Sequence, residues 1–154
     1  MTEQIKDVLK NSKTIAMIGV SSLKKKEDPR NLKRKPSTIV MKYMQDFGYK
    51  VIPVNPFAVG EIIHGEIVVA ALKDINILID IVDVFRPSKE TPNIAKESVN
   101  IGAKTLWLQY GIEHLEAEKT AKEANMNYFE NLCIKQEYQR IFQKMSPVFP
   151  VLKS

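Results

Sequence analysis

The sequence predicts an α/β protein, a Rossmann-like, doubly wound and mostly parallel sheet with helices on both faces. Two observations predict it. Short runs that are apolar throughout alternate with amphipathic stretches of helical period. Strands that are apolar on both faces need cover on both sides, and parallel strands need crossovers, which are right-handed. The 154 residues suit one domain, taken as residues 1–145, with residues 146–154, bearing Pro147 and Pro150, as a loose tail. No internal repeat and no low-complexity tract is present.

The elements follow in order. Residues 15–20 read as a buried strand, short, nearly all apolar and followed by turn residues. Pro36 and Ser37 open a helix in which Ile39, Val40, Tyr43, Met44 and Phe47 recur at helical spacing, with Gly48 as the stop. Residues 51–54 form a second strand; Pro53 inside it implies a strand end or a position whose amide no neighbour needs. Residues 67–69 read as a short edge strand and residues 77–85 as the strongest strand in the chain. A helix over 92–101 ends at Gly102. Residues 105–108 are a strand, 115–124 a helix, 127–129 a last short strand and 137–142 a terminal helix.

Composition narrows the function classes. No apolar run approaches the roughly 20 residues that cross a membrane. The opening residues mix charges and lack an apolar core, so no secretory signal is expected. Cys133 is the single cysteine, which excludes an intrachain disulfide framework, and two histidines beside it argue against a Cys/His zinc cage. A cytoplasmic protein is expected. Net charge is +5, from 23 Lys and Arg against 18 Asp and Glu. Most of the excess lies in one segment, where Lys24, Lys25, Lys26, Arg30, Lys33, Arg34 and Lys35 face only Glu27 and Asp28. That segment reads either as a solvated loop or as a partner for an anionic ligand. It carries no interleaved aromatic, which speaks against nucleic acid.

In a doubly wound sheet the ligand sits beyond the carboxyl ends of the strands. Those ends are Gly19-Val20-Ser21-Ser22, Val54-Asn55-Pro56, Phe85-Arg86-Pro87 and Gln109-Tyr110-Gly111. Gly19 directly after a strand lets backbone approach a phosphate, or simply makes a tight turn. The pattern is not Gly-x-Gly-x-x-Gly, since the next glycine is Gly48. NAD binding usually needs an acid at the end of the second strand, and Asn55 stands there instead. NADP would use a nearby Arg or Lys, which the basic segment can supply. A nucleotide with phosphate elsewhere on the ribose, as in coenzyme A, is the third option. Arg86 either contacts ligand, the favoured reading, or pairs with Asp83. Asp80 and Asp83 interrupt an apolar strand, and a buried acid needs partners. Catalytic equipment is thin: Ser21 and Ser22 have no recognisable His–Asp partners, His64 and His114 read as surface or loop residues, and Cys133 as a small buried hydrophobe.

Taken together, these pieces resemble the small stand-alone CoA-binding proteins, which are similar to the N-terminal CoA-binding domain of the succinyl-CoA synthetase α subunit. The resemblance rests on Ile18-Gly19-Val20-Ser21-Ser22, on Pro36-Ser37, and on Gly48 through Pro56. It continues through Gly60-Glu61-Ile62-Ile63-His64-Gly65, Ile81 through Arg86 and Ile101-Gly102-Ala103-Lys104. Trp107 through Gly111 and Cys133 through Tyr138 complete it. It spans residues 5–142, and the order of the pieces makes it specific. It implies that Gly19, Val20, Ser21 and Ser22 hold a diphosphate, with Ser37 nearby. Asn55 and Pro56 would border the adenosine. Val84, Phe85 and Arg86 would flank the nucleotide, and Gln109 and Gly111 would lie by the pantetheine arm. The sequence departs from the family in its long basic loop over 23–35 and in Asn131-Leu132 before Cys133, where the family has Asp-Arg. Lys24 and its neighbours are the expected substitutes for that missing basic contact. The ligand implied is coenzyme A or an acyl-CoA, held by a carrier, sensor or regulatory module without catalysis of its own. An NADP- or NAD-linked oxidoreductase or redox sensor is the alternative. No phosphohistidine domain is implied, and a protein partner or a homo-oligomer is left open.

Overall fold

A computed structural model of the chain describes residues 1–23 and 36–142. The basic segment from Lys24 to Lys35 and the expected tail over 146–154 lie outside the described residues.

The chain runs α1 (Thr2–Asn11), β1 (Thr14–Ile18), α2 (Pro36–Asp46), β2 (Lys50–Val54), β3 (Ile62–Ile63), β4 (Glu66–Ile67), β5 (Ile81–Val84), α3 (Thr91–Asn100), β6 (Thr105–Leu108), α4 (Leu115–Glu123), β7 (Asn127–Phe129) and α5 (Ile134–Phe142). Single 3₁₀ turns at Leu72–Asp74 and Ser88–Glu90 complete it. Five strands form one parallel sheet in the order β2-β1-β5-β6-β7. From β1 the chain moves outward to β2, then returns across β1 to β5. The crevice between β1 and β5 is therefore the topological switch point, where doubly wound sheets bind ligands.

Alternation along the strands explains the two-sided core. Ile15, Met17, Val51, Ile81, Trp107 and Phe129 join the cluster that includes Ile5, Met41, Met44 and Ile134 from α1, α2 and α5. Ala16, Ile18, Val82, Val84, Leu106 and Leu108 join Ile94 and Ala95 of α3 and Ala117 and Ala121 of α4. Helices cover both faces, as expected. Pro53 lies in β2, at the edge of the five-stranded sheet, where a missing amide is tolerated.

Five departures from expectation exceed a single residue. Strand β1 ends at Ile18 rather than at Val20, because Gly19 turns the chain. The strand expected over 77–85 is only Ile81–Val84. The Asp80 carboxylate accepts the Lys13 and Thr14 amides at 2.7 and 3.2 Å, and the Thr14 hydroxyl donates to the Leu78 carbonyl, so the approach to β5 is a side-chain-bonded turn. The edge strand expected over 67–69 is divided: Ile62–Ile63 and Glu66–Ile67 pair as an antiparallel hairpin, while Val69 bridges Val54. Helix α5 begins at Ile134, earlier than 137, and α1 was not expected at all.

Asp83 stands in β5 with Met17 on one side and Trp107 on the other. It is fully buried, and neither carboxylate oxygen has a hydrogen-bond partner among the described residues. Burial holds its carboxyl well above the usual range, and the adjacent Val84 amide offsets this only in part. Asp80 differs. Partial burial raises it, but the Lys13 and Thr14 amides, with Lys104 nearby, outweigh that and hold it below the usual range.

Candidate functional site

The turn leaving β1 is built around Gly19. Its amide donates to the Val54 carbonyl at 2.9 Å, while the Phe85 amide donates to Ile18 at 2.8 Å. The turn is thus clamped between the ends of β2 and β5. Gly19 has φ +90°, a region that favours glycine. A Cβ there would stand 2.8 Å from Arg86 Cδ and 3.0 Å from the Phe85 carbonyl oxygen. The Phe85 backbone just past β5 and the Arg86 side chain leave a Cβ no room unless they shift.

Beyond Gly19 the turn is fastened at several points. Val20 is buried. The Ser21 amide donates to Ser37 Oγ at 2.9 Å, so the first turn of α2 fastens the loop. The Ser22 hydroxyl donates to Glu61 Oε2 at 2.6 Å, and the Leu23 amide donates to Glu61 Oε1 at 2.8 Å. Asn55 holds the other side. Its Nδ2 donates to the Val20 carbonyl at 2.8 Å, and its Oδ1 accepts the Phe57 amide at 2.8 Å. The residue that stands where NAD-binding folds carry an acid is therefore a turn clamp.

A cavity of about 270 Å³ opens over this turn, near the lower end of the range for small-molecule clefts, roughly 300–1,000 Å³. Ile18 and Gly19 form its floor. Asn55, Pro56 and Phe57 form one wall, and Phe57 is 73% exposed. Arg86, Glu90, Asn93 and Glu97 form the other. Arg86 does not pair with Asp83. Its Nε and Nη2 donate to the Glu90 carboxylate at 3.1 and 2.7 Å. That pairing raises the guanidinium pKa and lowers the Glu90 pKa.

The structure thus brings Gly19, Asn55, Pro56 and Arg86 to one cavity, whereas Val20, Ser21, Ser22 and Ser37 do not line it, the two serines Ser21 and Ser37 being joined to each other in the turn that follows Gly19. Val84 is buried in the α3–α4 side of the core, and Phe85 packs against the opposite cluster, so both adjoin the turn through β5. Gln109 and Gly111 do not line the cavity. Gln109 is buried, with Oε1 accepting the Ile134 amide at 3.0 Å, and the Gly111 amide donates to Asn131 Oδ1 at 2.6 Å. Both brace the β6 end against the start of α5. Cys133 is half-buried against the α5-side core. Lys24 is outside the described residues. Neither histidine lines the cavity. His64 Nε2 lies 3.0 Å from the Thr38 carbonyl, and His114 Nδ1 accepts the Glu116 amide.

Sequence reasoning missed Phe57, Glu61, Glu90, Asn93 and Glu97. The last three sit three and four residues apart, which places them on one helical face. That spacing, directly after a strand end already marked as a ligand edge, was the available signal. No helix among the described residues is long and apolar enough to cross a membrane.

Known proteins share this architecture. A Thermus thermophilus protein, cell-free ID.343, superposes with a TM-score of 0.80 at 35% identity, over 92% of this chain and 99% of its own. The uncharacterized protein YneT of Bacillus subtilis (strain 168) is 39% identical over 132 residues, 86% of this chain and 90% of its own. The dinucleotide forming acetyl-coenzyme A synthetase 1 of Ca. Korarchaeum cryptofilum, in complex with phosphate and ADP, has a TM-score of 0.62 at 18% identity, over 85% of this chain and 28% of its own. At that identity the likeness is one of fold. The CoA binding domain family matches residues 13–139, a stretch that contains the whole cavity. The chain therefore belongs to the CoA-binding domain family.

Proposed function

We propose that this protein binds coenzyme A, free or acylated, as a carrier, sensor or regulatory module, and performs no reaction of its own. The observation that carries the reading is the cavity over the Gly19 turn at the switch point between β1 and β5. Family membership supplies the ligand class. Gly19, Val20, Ser21, Ser22 and Ser37 surround the diphosphate. Asn55 and Pro56 border the adenosine, and Val84, Phe85 and Arg86 flank it. Gln109 and Gly111 stand toward the pantetheine side, and Lys24 adds positive charge. The absence of catalysis is supported by the commitments of His64 and His114 to backbone groups outside the cavity. A cytoplasmic setting, where coenzyme A is met, completes the reading.

A thermal-shift series with coenzyme A, acetyl-CoA, NAD, NADP and ATP tests it. A ligand that binds only the native state at 100 times its Kd stabilises by about 2.7 kcal/mol, a shift of several degrees. Coenzyme A or acetyl-CoA should give the largest shift. A larger shift with NADP, or none with either CoA compound, rejects the reading.

A further inference from the structure

Three donors that follow Gly19 have acceptors inside the protein. The Ser21 amide, the Ser22 hydroxyl and the Leu23 amide carry one hydrogen each. Ser37 Oγ takes the first, and the two oxygens of Glu61 take the second and third. Glu61 arrives from a distant part of the chain, 38 and 39 residues on from its partners. Its backbone is fixed there. The Glu61 amide donates to Ala58, and the Glu61 carbonyl accepts from Val68. The Ser22 contact, at 2.6 Å, has the length of a charge-assisted bond between hydroxyl and carboxylate. Two oxygens of one anionic group spread over a hydroxyl and a loop amide also make the pattern by which one face of a phosphate is held. A second anion brought to these donors meets occupied hydrogens and a like charge.

We propose that Glu61 is a built-in competitor for the diphosphate cradle: its carboxylate holds the Ser22 and Leu23 donors in the ligand-free protein and must be displaced before a diphosphate can use them. This rests on the CoA-binding reading and adds an affinity-setting residue to it. Glu61 trades ligand affinity for a turn that is ordered before the ligand arrives.

Titration calorimetry on wild type and Glu61→Gln, with coenzyme A and separately with inorganic pyrophosphate, tests the proposal. Glu61→Gln keeps the size and removes the charge. It should bind coenzyme A about tenfold more tightly, since one tenfold step in Kd corresponds to about 1.4 kcal/mol, while the melting temperature of the ligand-free protein falls. Equal or weaker binding by the variant overturns the proposal, because a residue that only positions the turn would weaken binding when altered. If wild type takes no coenzyme A, the CoA-binding reading fails, and pyrophosphate alone decides for Glu61. Tighter pyrophosphate binding by the variant supports competition; equal, weaker or undetectable binding overturns it. Should Glu61→Gln fail to fold, Glu61→Ala is read by the same criteria.

Discussion

Gly19 follows β1, Asp83 lies in the neighbouring β5, and the two pose opposite problems. At Gly19 a side chain has no room: φ is +90° and the Phe85 carbonyl lies 3.0 Å from a would-be Cβ. A left-handed conformation costs a non-glycine residue about 1–2 kcal/mol, and the Phe85 contact adds to it. Gly19→Ala should therefore lower the melting temperature by several degrees, keep its circular dichroism spectrum, and bind coenzyme A at least about tenfold more weakly, a loss of about 1.4 kcal/mol. Unchanged affinity would detach the turn from the ligand. At Asp83 the group fits but lacks partners. Its folded-state pKa is raised, so the native protein holds a proton that the unfolded chain gives up above the ordinary carboxylate range. The native state then binds more protons than the unfolded one, and stability falls as pH rises from that range toward the folded pKa. The loss is about 1.4 kcal/mol for each pH unit crossed between the two pKa values. Asp83→Asn cannot ionise. Its melting temperature relative to wild type should climb between pH 4 and pH 8; a constant difference across that range would mean that Asp83 is ionised in the native state.

At the scale of elements, the β strands inside the sheet were legible because each is a short apolar run bounded by polar or glycine residues. Helix α1 was missed. Its buried stripe is only Ile5, Val8 and Leu9, set among Glu3, Lys6, Asp7 and Lys10; the three stand at helical spacing, and this short signal was overlooked. The β3–β4 hairpin was hidden, because each strand is two residues long, too short for a period to show, and its apolar Ile62 and Ile67 face solvent. The run 77–85 misled in the other direction. Ile77 and Leu78 are exposed, 41% and 82%, and the turn made by Asp80 starts the strand later than hydrophobicity suggests. The unforeseen α1 is part of the core all the same. Leu9 is 1% exposed, and its carbonyl accepts the Tyr49 hydroxyl. Leu9→Ala should cost about 2–5 kcal/mol in denaturant unfolding. Because α1 does not line the cavity, the affinity of the folded variant for coenzyme A should match wild type. A loss of affinity parallel to the loss of stability would tie α1 to the site.

At the scale of the whole molecule, the doubly wound class and the carboxyl-end location of the site could be read from the strand ends alone. Half of the cavity could not. Glu90, Asn93 and Glu97 look in sequence like any solvated helix face, and only the order β2-β1-β5 turns that face toward Gly19. The charge distribution also belongs to this scale. Outside the segment from Lys24 to Lys35 the chain carries sixteen cations and sixteen anions, so the net charge of +5 is that segment's own. The one cation on the described cavity wall, Arg86, is engaged by Glu90. A polyanionic ligand is then drawn chiefly by the residues that follow Leu23, and attraction between solvent-exposed charges is screened over about 10 Å at 0.1 M salt. Replacing Lys24, Lys25 and Lys26 together by Ala should weaken coenzyme A binding about tenfold at low salt, as removal of a steering patch does. It should also flatten the decline of affinity with salt that wild type shows. The check is a calorimetric series from low to high sodium chloride on both proteins. Parallel salt curves would return the segment to the status of a solvated face and leave the attraction of the ligand to the backbone amides of the turn.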